Sequence, residues 1–218
     1  MYVAEKFVSI NGESRRAGQP AVFIRFRGCN LACSYCDTKW ANTAQCPAQD
    51  MTVEQIKEYI LSTGITNVTL TGGEPLLQKD MKELLSVLCD GKLYVEIETN
   101  GSVDASFTKK IKNPPSLTLD YKTPSSNEEE RMYMPNFELV DTNDTVKFVC
   151  GNKADLEKSL KIIKEYNLDK KCAVYFSAVF GQIEPREIVE FMLEKKLNGV
   201  NLQLQMHKYI WDPNKKGV

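Results

Sequence analysis

Cys29, Cys33 and Cys36 fall within eight residues of one another in the run GCNLACSYCDTKW, residues 28–40. Their thiolates are soft ligands suited to zinc or to an iron–sulfur cluster. With seven cysteines in 218 residues, composition alone does not collect three of them in one short loop. A closed structural zinc site needs four ligands. No fourth cysteine follows at ligand spacing, and the single histidine, His207, lies far along the chain. Two completions keep zinc open: water or Asp37 as the last ligand, or Cys46, ten residues after Cys36 in a polar stretch. A 4Fe–4S cluster normally takes one thiolate per iron, so three thiolates leave one iron free for a non-protein ligand. An open position marks catalytic metal centres, whereas structural ones are closed, and the cluster reading is preferred. Cys89, Cys150 and Cys172 sit in or beside apolar runs and read as buried small hydrophobes.

Elements must position that loop. AVFIRFRG reads as a buried strand that ends at the cysteines. MTVEQIKEYILSTG opens with Thr52 and Gln55 as a capping box and stops at Gly64, which predicts a helix. Strands follow in NVTLTGGEP, LYVEIETNGS, SLTLDYKTP, TVKFVCGN, CAVYFSAVF and VNLQLQ. KDMKELLSVLCDG, KADLEKSLKIIKEYNL and EPREIVEFMLEKKLNG read as helices between them. This alternation implies right-handed βαβ units and a parallel sheet. About six strands follow the first, fewer than close a full barrel, so a partial barrel and an open doubly wound sheet both fit. A polar, proline-bearing stretch at residues 113–145 breaks the alternation and reads as an insertion, with NEEER as a solvated charge cluster.

In parallel α/β folds, chemistry collects beyond the carboxyl ends of the strands. There the sequence places the cysteine loop; then Thr71, Gly72, Gly73, Glu74 and Pro75; then Glu98, Thr99, Asn100 and Gly101; then Asp120, Tyr121 and Lys122. A Gly-Gly turn or a strand-end Asp alone is ordinary turn or cap chemistry. Their recurrence around one rim points to a shared site.

The balance of 28 Lys and Arg against 29 Asp and Glu, a net charge of −1, gives no reason to expect a nucleic acid or an anionic membrane as partner. No run approaches the roughly 18 apolar residues of a membrane span. The start, MYVAEKFVSINGES, lacks the basic and apolar pattern of a secretory signal, so the expectation is a cytoplasmic protein. The length suits one domain, residues 1–218, with an N-terminal extension over 1–20 and a C-terminal tail over 206–218.

Cys29-x3-Cys33-x2-Cys36, with Tyr35 before the last cysteine and Gly72-Gly73-Glu74-Pro75 a strand–helix unit later, resembles the radical S-adenosylmethionine (SAM) superfamily. Within it, FVSINGES, AGQPAVFIRFRGCNLACSYCDT, TLTGGEPLLQ, VEIETNGS, DYKTPSS and QLQMHKYIWDPNKKGV are similar to the 7-carboxy-7-deazaguanine synthase family, over nearly the whole chain. The resemblance implies a partial (β/α)6 barrel of the radical SAM type. It implies a lyase that turns 6-carboxy-5,6,7,8-tetrahydropterin into 7-carboxy-7-deazaguanine with loss of ammonia, on the route to queuosine and other 7-deazapurines. A 4Fe–4S cluster, SAM and magnesium are the implied cofactors. A 5′-deoxyadenosyl radical is expected to take hydrogen from substrate C6, with magnesium assisting ring contraction. A homodimer and a flavodoxin or ferredoxin as electron donor are the implied partners.

By the same resemblance, Cys29, Cys33 and Cys36 hold the cluster and Thr38 holds magnesium. Tyr35, Cys36, Asp37, Gly73, Glu74, Glu98, Asn100, Asp120, Tyr121, Lys122, Gln205, Met206, His207 and Lys208 surround SAM. Ile10, Asn11, Gly12, Arg25, Thr71, Pro213 and Val218 contact substrate. Asn11 stands where the family carries glutamine, and Asp120 where serine is frequent. Arg25 offers a guanidinium fork matched to a carboxylate. Two other readings share part of the pattern: a glycyl-radical enzyme activase, which needs no pterin pocket, and a non-catalytic zinc-binding module, which would be colourless.

Overall fold

The computed structural model describes residues 1–212 and 215–218. Along the chain run β1 (Tyr2–Ile10), β2 (Pro20–Phe26), β3 (Gln49–Asp50), α1 (Val53–Ser62), β4 (Asn67–Gly72), α2 (Met81–Leu88), β5 (Tyr94–Thr99) and β6 (Ser116–Tyr121). They continue with α3 (Asn136–Leu139), β7 (Thr145–Cys150), α4 (Lys153–Tyr166), α5 (Leu168–Lys171), β8 (Ala173–Ala178), α6 (Pro185–Glu194), β9 (Val200–Leu202) and α7 (His207–Ile210). The strands form one open sheet in the order β3-β1-β2-β4-β5-β6-β7-β8-β9. From β2 to β9 every pairing is parallel, which makes the partial-barrel arrangement of strands with helices between them.

Local chemistry explains the boundaries. Thr52 caps α1 by accepting from the Gln55 N–H at 3.3 Å, and Gln55 accepts from the Thr52 N–H at 2.9 Å, the reciprocal box expected from the sequence. Pro185 occupies the first turn of α6, where its missing N–H costs no helical bond. All six residues of β7 are buried, as a strand covered on both faces requires.

Residues 1–20 are more than an extension: β1 is a nine-residue strand antiparallel to β2, paired in turn with β3, so the sheet gains an antiparallel edge. The β5–β6 connection holds only a 3-10 turn, Ser106–Lys110, because Asn113-Pro114-Pro115 cannot continue a helix into β6.

The insertion is also more than a solvated loop. Ser34 N–H donates to the Ser126 carbonyl at 3.0 Å, Ser34 Oγ to the Ser125 carbonyl at 2.6 Å, and Ala32 N–H to Glu128 at 2.7 Å. One glutamate of the NEEER cluster therefore braces the cysteine loop. Asn136, fully buried, ties the same insertion to the strand-end turn after β5 by donating to the Gly101 and Val103 carbonyls. Among the described residues no helix is long and apolar enough to cross a membrane.

Candidate active site

The cysteine loop leaves β2 and is closed by the Gly28 N–H donating to the Ala41 carbonyl at 2.9 Å. It rests backbone to backbone on the turn after β4: Gly73 N–H donates to the Phe26 carbonyl at 3.0 Å and Glu74 N–H to the Gly28 carbonyl at 2.8 Å. A Cβ on Gly73 would lie 2.0 Å from the Gly28 oxygen. Gly72 combines a φ of +139° with a Cβ position 2.3 Å from the Phe26 oxygen. Both glycines are required by this close approach.

Cys29, Cys33 and Cys36 all line one cavity of about 720 Å³. Cys29 Sγ accepts from the Leu31 N–H at 3.4 Å and the Asn100 amide at 3.5 Å; Cys36 Sγ accepts from the Asn42 amide at 3.6 Å. Burial pushes the Cys29 thiol up and the Cys33 thiol up to about 11. Cys46 is buried outside this lining and donates its S–H to the Pro47 carbonyl at 3.2 Å, so it does not join the three as a fourth ligand. Among the described residues no three His, Cys, Asp or Glu side chains converge as a site for a single ion. Three thiols lining one cavity, with N–H donors aimed at two of the sulfurs, fit an iron–sulfur cluster whose ligands are tuned by hydrogen bonds.

The rest of the rim is charged and paired. Arg25 Nε meets Glu5 at 3.1 Å. Lys122 meets Asp120 at 2.9 Å, and Lys147 meets Glu13 at 3.1 Å and Asp120 at 3.8 Å. Burial acts to lower both lysines, but the surrounding carboxylates outweigh it and hold them above the usual range, Asp120 foremost for Lys122 and Glu13 foremost for Lys147. Thr71 donates to Glu98 at 2.9 Å, and burial raises the Glu98 carboxyl. Thr38 donates to Asp37 at 2.8 Å. Burial raises Asp37, yet the Thr38 bond and the nearby Lys208, 3.8 Å away, leave it below the usual carboxylate range. Burial lowers His207, which lines the cavity beside Gly12.

Of the residues singled out by sequence, the cavity also gathers Tyr35, Gly73, Asn100, Gln205, Lys208, Ile10, Gly12, Arg25, Thr71 and Val218. It does not gather four others. Glu74 is fully buried beneath the turn, where its carboxylate accepts from Leu76 N–H, Thr99 Oγ1 and Asn100 N–H. Tyr121 points to the opposite face of β6, where it packs on Phe137 and Phe148 and donates to Glu129. Asn11 turns under the sheet to accept from Thr69 at 2.8 Å. Met206 lies outside the lining, although its N–H donates to the Gly12 carbonyl at 3.2 Å. Pro213 lies outside the described residues.

Sequence reasoning missed Glu13, Lys147 and Asn42, all in the lining. The signal for Lys147 was present: a lysine inside the otherwise apolar strand TVKFVC is a buried cation that needs a partner.

The chain matches the Radical SAM superfamily over residues 23–194. It is 55% identical over 217 residues to the 7-carboxy-7-deazaguanine synthase of Clostridium acetobutylicum, covering 99% of this chain and 98% of that one. It is 39% identical to that of Chlorobaculum tepidum, covering 99% and 96%. The crystal structure of QueE from Escherichia coli superposes with a TM-score of 0.70 at 21% identity, covering 94% of each chain. Streptococcus suis SuiB bound to S-adenosylmethionine gives 0.59 at 15% identity, covering 84% of this chain and 51% of that one. The chain belongs to the radical SAM superfamily and, within it, to the 7-carboxy-7-deazaguanine synthase family. Membership makes it an enzyme of the class whose cofactors are a 4Fe–4S cluster and SAM.

Proposed function

We propose that the protein converts 6-carboxy-5,6,7,8-tetrahydropterin into 7-carboxy-7-deazaguanine with release of ammonia. The observation that carries this reading is that one cavity joins the three open-sided thiols to a rim holding Arg25, Thr71 and the Asp37–Thr38 pair. When bound, the cluster and SAM supply reductive cleavage of a sulfonium and a radical able to take hydrogen from an unactivated carbon. The protein's part is to hold, orient and enclose.

Cys29, Cys33 and Cys36 are the cluster ligands in this reading. Gly73 brings backbone close to SAM; Tyr35, Asp37, Glu98, Asn100, Asp120, Lys122, Gln205, His207 and Lys208 supply the polar wall on its side. Ile10, Gly12, Arg25, Thr71 and Val218 form the substrate side. The Arg25 guanidinium keeps donors beyond the Nε that meets Glu5 and binds the pterin carboxylate through them. Thr38 and Asp37 offer adjacent hard oxygens for magnesium, an ion that keeps water and substrate oxygens among its ligands. The described tail residues close one side, with Lys216 over the Trp40 ring at 4.2 Å and Val218 in the lining, and this keeps water from the reacting carbon. A flavodoxin or ferredoxin as electron donor and a homodimeric state complete the reading.

The test is anaerobic turnover of the reconstituted protein with SAM, a reductant, magnesium and the carboxytetrahydropterin, read by mass spectrometry. The expected products are 7-carboxy-7-deazaguanine and 5′-deoxyadenosine, both lost in Cys33→Ala. Deoxyadenosine without the deazapurine would keep the radical chemistry and overturn the substrate.

A further inference from the structure

Lys147 is the one buried lysine among the described residues. It stands in the middle of β7, every residue of which is buried, and its side chain is only 10% exposed. A buried ammonium without a partner costs several kcal/mol, and Lys147 finds two carboxylates on two separate elements. Glu13, in the β1–β2 connection, lies 3.1 Å from Nζ, and Asp120, in β6, lies 3.8 Å away.

The two carboxylates do not depend on Lys147 equally. Asp120 has a cation of its own, Lys122, at 2.9 Å. Glu13 has Lys147 as its one ion pair among the described residues, and its other bond comes from the neutral Ser177 hydroxyl at 3.2 Å. Glu13 directly follows Ile10, Asn11 and Gly12, and lines the cavity together with Asp120 and Lys122; the reading above puts that turn on the substrate side and Asp120 and Lys122 on the cofactor side.

We propose that Lys147 is a positioning residue that fixes the carboxylate of Glu13, and with it the substrate wall of the cavity, while Asp120 on the cofactor wall keeps its closer partner, Lys122 at 2.9 Å, when Lys147 is replaced. The proposal rests on the pterin reading above. Replacing Lys147 leaves Glu13 a nearly buried carboxylate without a counter-charge, which costs it its position and loosens the turn beside it. Asp120 stays paired.

The experiment compares reconstituted wild type, Lys147→Met, Lys147→Arg and Glu13→Gln. It reads the KM for the carboxytetrahydropterin and, separately, the Kd for SAM without pterin, with cluster absorbance and circular dichroism as controls. The expected result is a KM raised at least about tenfold in Lys147→Met and a SAM Kd within about twofold of wild type. Recovery of most of the KM is expected in Lys147→Arg, which restores the charge. Glu13→Gln removes the pair from its other end and must reproduce the same asymmetry, which keeps the proposal testable if Lys147→Met does not fold. An unchanged KM, a SAM affinity that falls in parallel with KM, or an arginine variant no better than methionine overturns it. Absence of pterin turnover by the wild type overturns the substrate reading and this inference together.

Discussion

The backbone of Gly73 passes so close to that of Gly28 that a methyl group on Gly73 would meet the Gly28 carbonyl oxygen at 2.0 Å. The turn after β4 and the start of the cysteine loop are thus one folded unit. Gly73→Ala is expected to push the loop off the turn and abolish cluster loading. Iron content and visible absorbance after reconstitution check this. A variant that holds a full cluster would show the contact to be yielding.

Glu74 tells the same story in charge. Burial raises its carboxyl to about 7, against three donors that oppose the shift. The folded protein then keeps a proton that the unfolded chain releases above its ordinary carboxyl pKa. This group's contribution to stability is complete below about pH 4.5 and is lost as the pH rises through about 7, a span worth ~3 kcal/mol. Denaturant unfolding between about pH 5 and 8 should show stability falling with pH. In Glu74→Gln that slope should flatten, and the variant should lose ~1–3 kcal/mol because its amide faces the Asn100 N–H.

Asn42 and Asn100 aim amide N–H groups at Cys36 and Cys29. Such bonds stabilise the more negatively charged, reduced form of a cluster and raise its potential. Asn42→Leu should therefore make the cluster harder to reduce, by on the order of 60 mV for a tenfold change in the reduction equilibrium. A redox titration followed by electron paramagnetic resonance reads the midpoint. An unchanged midpoint would remove Asn42 from this role.

Much of the site was legible because strand ends carry their chemistry in short contiguous motifs. The cysteine run, TLTGGEP, ETNG and the Asp120–Lys122 segment each named a place on the rim, and the structure brings parts of all four to one cavity. Alternation explains one error: successive strand residues face opposite sides, so Asp120 enters the cavity while Tyr121 packs outward on Phe137. The resemblance placed Glu74 beside SAM with the rest of its motif, yet its backbone position forces the side chain beneath the loop. The antiparallel strand β1 was hidden because YVAEKFVSI carries polar residues on a half-covered edge. Contacts between distant segments, such as Glu128 with Ala32 or Lys147 with Glu13, leave no local pattern to read.

Thr38 and Asp37 face the cavity as a bonded pair. Thr38→Ala removes one hard oxygen and should weaken the magnesium dependence of turnover while leaving cluster loading intact. Rates measured across a magnesium titration check it. An unaltered magnesium response would count against Thr38 as a ligand.

The central claim is that this cavity directs hydrogen abstraction at C6 of a carboxylated pterin. The most direct measurement is turnover of substrate carrying deuterium at C6, with mass spectrometry of the 5′-deoxyadenosine formed. The account predicts deuterium in the deoxyadenosine alongside 7-carboxy-7-deazaguanine. Deoxyadenosine free of deuterium, in a reaction that still yields the deazapurine, would contradict it.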